Sequence, residues 1–171
     1  MRKLIATTLI VMLVSLAVAA AAGPAAAFDR QANERTMLGL INLARTSRGL
    51  APVHLQTALD RAALAHSRDM LSRDYFSHSA PGGTTFATRL RKAGYGIAGY
   101  RSWAVGEVIG WGQGSAGSPR AVFRSWMRSS AHRAVILDRR WRDVGVGCAR
   151  GSFRGVSGSV MYTIDLGRRT R

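Results

Sequence analysis

The side chains best suited to chemistry are few. The chain holds four histidines, His54, His66, His78 and His132, and only two glutamates, Glu34 and Glu107. Imidazole changes charge near neutrality and ligates metals, so each histidine is a candidate acid, base or ligand. His78 stands in "RDYFSHSAPGG", between a helical pattern and a proline–glycine turn. His132 follows a Ser-Ser-Ala break and precedes "RAVIL". Glu107 lies in "AVGEVIGWG", an apolar, glycine-rich strand pattern in which a carboxylate needs partners or loses its charge. Two imidazoles and a carboxylate from three elements could ligate a divalent metal with one position open. They could equally form a hydrogen-bonded polar cluster with no metal. The spacing fits no H-E-x-x-H pattern. A Ser-His-Glu triad from Ser77, Ser79 or Ser130 is disfavoured, because side chains adjacent to a histidine point away from it and no G-x-S-x-G elbow exists.

Other candidates yield to structural readings. "GQGSAG", 112–117, matches a dinucleotide fingerprint, but three helical segments precede it and too little chain follows for a second half-domain, so a flexible loop is expected. Cys148, the single cysteine, alternates with Val144 and Val146 on one strand face and reads as a buried, inert thiol. His66 falls on the apolar stripe of a helix and reads as a hydrogen-bonded core histidine. His54 sits in a linker. Glu34 suits the first turn of a helix, where the dipole favours a carboxylate.

These residues must be positioned by a mixed set of elements. Met37, Leu40, Ile41 and Ala44 recur at helical spacing, with Gly49 to close the helix. A second helix runs from Thr57 to near Asp74, and a short third from Phe86 ends at Gly94. Ser118-Pro119 opens a fourth with an N-cap and a proline in its first turn, burying Val122, Phe123 and Trp126. Strands are predicted at 102–111, 142–149 and 159–167, the last two joined by a glycine-rich turn; "RRTR" is predicted to be a loose tail. Helices mostly come first and strands last, the order of an α+β domain with a largely antiparallel sheet.

The ends and the charge set the context. Residues 1–27 carry a basic start, an apolar run, a Gly-Pro break and "AAA", which reads as a secretory signal, leaving one domain over 28–171. The expected product is secreted, extracellular or periplasmic, has no membrane span after cleavage, and is a monomer. The formal net charge of the whole chain is +16. It is nearly all arginine, which points to anionic partners such as lipid or an envelope polymer. The arginines are scattered and no DNA-binding motif is present, so no specific nucleic-acid partner is expected.

Taken together, "LINLARTSRGLAPV", "AALAHSRDM…DYFSH", "GEV", "VFRSWMRSSAHRAVIL" and "DVGVGCA" occur in the order found in bacterial secreted proteins of the CAP superfamily. That superfamily includes the cysteine-rich secretory proteins, antigen 5 and pathogenesis-related 1, with their SCP-like domain. The resemblance spans about 36–167. It implies an α-β-α sandwich with a central, largely antiparallel sheet between helical layers. It also implies a cleft lined by His78, Glu107 and His132. Here the motif reads "GEV" where the family has an asparagine, so Val108 supplies no amide, and a second acid would fall near Ser129, where there is none. The function implied is a non-enzymatic binding or interaction module of the cell envelope or medium. It requires no cofactor, though a divalent metal such as zinc could bind weakly at His78, His132 and Glu107. The alternative is a divalent-metal-dependent hydrolase using the same three residues.

Overall fold

A computed structural model describes residues 27–171. The expected signal segment therefore lies outside the described residues, apart from Ala27. Five helices and four strands follow in order: α1 (Arg30–Thr46), β1 (His54–Leu55), α2 (Thr57–Ser72), α3 (Phe86–Lys92), β2 (Ser102–Gln113), α4 (Pro119–Arg128), α5 (Ser130–Ile136), β3 (Asp143–Phe153) and β4 (Val156–Thr170). Ser118 caps α4 as expected, and Asp29, Gln56, Thr85 and Ser129 likewise each accept from a backbone amide of the helix they open.

The sheet runs β1-β3-β4-β2. β4 pairs antiparallel with both β2 and β3, and the short β1 runs parallel to β3, so the sheet is mixed but mainly antiparallel. Alternation along the strands gives two buried faces. Val144, Val146, Cys148, Tyr162, Ile164 and Leu166 face a core built with Met37 and Ile41 of α1, Val122, Phe123 and Trp126 of α4, and Ile136 of α5. On the opposite face Ile109 and Met161 pack with Met70 of α2, while Leu59 and Leu90 pack α2 and α3 around Tyr95. The molecule is an α+β sandwich with the sheet between two helical layers.

Glycine sets the spacing of one layer. A Cβ at Gly145 would overlap the Leu59 carbonyl, and one at Gly147 would overlap the Leu64 amide, so the backbone of α2 rests directly on β3. Ser67 Oγ pins the contact by bridging Gly147 O (3.0 Å) and Thr163 Oγ1 (2.9 Å). At the β3–β4 turn, Arg154 and Gly155 both have positive φ, 50° and 76°, as a tight two-residue hairpin requires.

Four expectations change. In the "GQGSAG" segment, Gly112 and Gln113 end β2 and Gly114–Gly117 form a 3-10 turn, whose buried Gly117 accepts through its carbonyl from the Tyr162 hydroxyl at 2.9 Å. The "RRTR" tail is mostly strand, because β4 reaches Thr170 and the Arg169 guanidinium stacks on the rings of Tyr95 (4.3 Å) and Tyr100 (4.4 Å). His54 begins β1 rather than lying in a linker. Glu34 lies past the first turn of α1; one carboxylate oxygen accepts from Arg30 (2.5 Å) and the other from the Cys148 amide of β3 (3.2 Å). The reading of Cys148 as an inert buried thiol holds: it is fully buried, and its thiol is pushed up to about 12 chiefly by that burial.

Candidate functional site

Glu107 occupies the middle of β2, on the face covered by α2 and α3, with its side chain wholly buried. Two donors from the α2–α3 region reach it. His78 Nδ1 meets Oε1 at 2.8 Å, and Arg89 Nη2 of α3 donates to Oε2 at 2.5 Å. Arg89 Nη1 also donates to the His78 carbonyl (2.9 Å), so one guanidinium fixes both the acid and the loop that carries the imidazole. The carboxylate takes the Nδ1 proton of His78 as its hydrogen bond, which leaves Nε2 as the free nitrogen of a ring whose side chain is half exposed.

The loop from Arg73 to Thr85 is tied at several points. Tyr75 N bonds Met70 O past the end of α2, and Ala80 N bonds Thr84 O. His66, completely buried in α2, donates from Nε2 to Ser77 O (3.0 Å), one residue before His78. The same nitrogen lies 4.0 Å from Glu107 Oε1. Burial, the largest influence, holds the His66 pKa below the usual histidine range. Tyr75 completes the chain of contacts: its hydroxyl donates to Asp69 Oδ2 (2.5 Å) and stands 3.3 Å from His66 Nδ1.

His132 arrives from the other helical layer, on α5. Ser129 caps that helix by accepting from His132 N at 3.5 Å. The buried guanidinium of Arg45 donates from Nη1 to Ile136 O (2.7 Å) at the far end of α5, anchoring the helix to α1. His132 Nδ1 is buried with no hydrogen-bond partner among the described residues. Burial holds this ring's pKa below the ordinary value, and the neighbouring His78 adds to the effect.

Behind Glu107 lies a second acid. Asp165 of β4 is its direct partner across the β2–β4 ladder and is 1% exposed. Neither of its side-chain oxygens finds a donor among the described residues. Burial, and then the Glu107 charge, push the Asp165 pKa well above the usual carboxylate range, while Arg89 opposes them. Like charges directly opposite in a sheet repel, so a single proton belongs on this pair.

His78 and Glu107 are thus joined directly, and His132 lies close enough to His78 for their charges to interact. Arg89, Asp165 and His66 belong to the same cluster and were not assigned to it from the sequence. The sign for Asp165 was present, since "MYTIDLG" places a carboxylate in an apolar strand just as "VGEVIG" does. Arg89 gave no sign, being one arginine among many. As metal donors the set is incomplete: both Glu107 oxygens are engaged, and no three His, Cys, Asp or Glu side chains among the described residues form a metal-holding group.

The profile of the cysteine-rich secretory protein (CAP) family matches residues 38–165. YkwD of Bacillus subtilis is 34% identical over 117 residues, covering 68% of this chain but only 42% of YkwD. Among solved structures, an extracellular SCP-domain protein of Bacillus anthracis aligns with a TM-score of 0.67 at 24% identity, over 81% of this chain and 41% of that one. An outer surface protein of Borrelia burgdorferi aligns with a TM-score of 0.69 at 16% identity, over 84% of this chain and 97% of that one. The chain therefore spans less than half of the first two relatives. No helix among the described residues is long and apolar enough to cross a membrane.

Proposed function

The chain belongs to the cysteine-rich secretory protein (CAP) family, and from that premise we propose that it is a secreted, non-enzymatic binding module whose His78–Glu107–His132 cluster takes a ligand of the cell envelope or medium. The observation that carries this reading is the engagement of Glu107: Arg89 and His78 hold both of its oxygens. A carboxylate with a donor on each oxygen and a wholly buried side chain serves to orient an imidazole, and it stands back from any metal or water in the open cleft. What the cluster presents outward is the free edge of the half-exposed His78 ring. The serine hydroxyls near the histidines serve the backbone instead: Ser77 Oγ accepts from Ser79 N, and Ser129 Oγ accepts from His132 N. Neither is bonded to an imidazole that could activate it.

The net charge supports anionic partners, lipid or an envelope polymer. Capture of envelope lipids and soluble glycans by the intact protein, compared with His78→Ala and His132→Ala, tests the proposal. Retention that both substitutions weaken is expected. Equal capture by wild type and variants would remove the cluster from binding, and turnover of a captured glycan or ester would revive the hydrolase. Capture that vanishes as salt rises would assign binding to the arginine surface instead. The divalent-metal-dependent hydrolase, the alternative from the sequence, would need Glu107 released from Arg89.

A further inference from the structure

The outer edge of β3 is covered along only part of its length. β1 pairs with it at Asp143 and Val144 and goes no further. The next two outward amides are met by side chains: Val146 N donates to Asp60 Oδ1 at 2.8 Å, and Cys148 N to Glu34 Oε1 at 3.2 Å. These two carboxylates stand where the carbonyls of a neighbouring strand would be. Alternation points the backbone groups of Arg150 the same way, and there the substitution ends. No strand or side chain among the described residues pairs with the outer edge of β3 between Ala149 and Phe153; just past the strand, Arg154 N again donates to a carboxylate, Asp74 Oδ1, at 2.6 Å.

At that point the surface opens into a groove of about 510 Å³ between the start of α1 and the end of α2. Phe28 and Leu71 give it apolar walls, and Arg30, Arg68 and Arg150 line it. Arg30 is paired with Glu34; Arg68 and Arg150 have no acidic partner among the described residues. An open sheet edge is a template for an added strand, and proteins usually block it. Here the blocking stops where the arginines begin.

We propose that the β3 edge beyond Cys148 is a docking site for an extended acidic peptide, which adds a strand to the sheet and places its carboxylates on Arg68 and Arg150. The stretch Ala149–Ser152, ending in the irregularity between Gly151 and Phe153, offers about 14 Å of edge, enough for roughly four peptide residues. Charge selects the occupant. A second copy of this chain would bring its own three arginines against these, whereas an acidic segment neutralises them. The site lies at the opposite margin of the sheet from β2, which carries Glu107, and does not depend on the ligand proposed for that cluster.

The test uses the intact protein and a fluorescein-labelled, acetylated hexapeptide, Glu-Val-Glu-Glu-Val-Glu, followed by anisotropy. Saturable binding is expected, weakened at least tenfold when alternate peptide amides are N-methylated, since methylation removes strand pairing and keeps the charge. Arg68→Glu with Arg150→Glu should weaken binding at least tenfold, and the Gln pair by less; the Gln pair carries the test if the Glu pair melts early. His78→Ala should leave binding unchanged. Absence of saturable binding would overturn the proposal. So would N-methylated peptide binding as well as the parent, or polyphosphate displacing both alike, either of which marks a general polyanion surface. A dimer in sedimentation that Arg150→Glu dissociates would assign the edge to a second copy and overturn it too.

Discussion

Asp165 and Glu107 face each other across two paired strands, one carboxyl without a donor and the other held by a guanidinium and an imidazole. The folded state therefore keeps a proton on Asp165 that the unfolded chain releases near pH 4. Between that value and the raised folded pKa, the native state binds more protons than the unfolded one. Stability from this group is then full below the unfolded pKa and is lost as pH rises through the folded pKa. Asp165→Asn should remove the effect, so the stability of the variant relative to wild type should grow with pH above about 4. Urea unfolding at a series of pH values checks this, and a flat difference would mean that Asp165 ionises normally.

Removing Arg89 should damage the fold more than an exposed arginine would. Arg89→Met leaves the Glu107 carboxylate buried beside Asp165 with only His78 as donor, and breaking a buried pair from one side costs about 3–5 kcal/mol. Glu107→Gln added to Arg89→Met should restore part of that loss. A double-mutant cycle by chemical denaturation measures the coupling, and strictly additive losses would contradict it.

Trp126 packs rather than binds. It is 3% exposed, and its indole Nε1 donates to Ile109 O at 2.9 Å. Trp126→Ala should cost about 3–5 kcal/mol and lower Tm by many degrees. An unchanged melting curve would refute the packing role.

Zinc should bind weakly, through the imidazoles of His78 and His132, because Glu107 is engaged. Calorimetry at pH 7.5 and 5.5 should show affinity falling in acid as the imidazoles protonate, and His78→Ala should abolish it. Tight binding that survives both changes would place the metal elsewhere.

Gly147→Ala offers a test of the α2–β3 contact, since the new methyl group would collide with the backbone at Leu64. A loss of several kcal/mol is expected, larger than for an alanine at solvent-exposed Gly39, where no atom lies within 4 Å of the added Cβ. Comparable melting temperatures for the two variants would argue that α2 can lift off the sheet without cost.

The regular elements were legible because their signals are local. Ser118-Pro119 announces α4, and the alternation of Val144, Val146 and Cys148 announces β3. The two-residue β1 was not legible, because its pairing with β3 comes from the chain passing that edge rather than from its own residues. The cluster was half legible. His78, Glu107 and His132 are scarce residue types in conspicuous settings. Arg89 is a common type in this chain, and its role depends on α3 lying over β2, which no spacing in the sequence encodes. Asp165 carried a usable sign, an acid in an apolar strand. Reading it as the partner of Glu107 required the β2–β4 register.

The glycine contact between α2 and β3 also bears on how the protein tolerates change. Most helices rest on a sheet through side chains, so each core replacement alters their separation and drags along whatever they carry. Over Gly145 and Gly147 main chain touches main chain, and no replaceable group lies between. The height of α2 above the sheet is therefore set by the backbone at Leu59 and Ala63, and a residue farther along the helix such as Met70 can change shape without resetting it. His66, one turn past that contact, keeps its distance to the Ser77 carbonyl as the surrounding layer is rewritten.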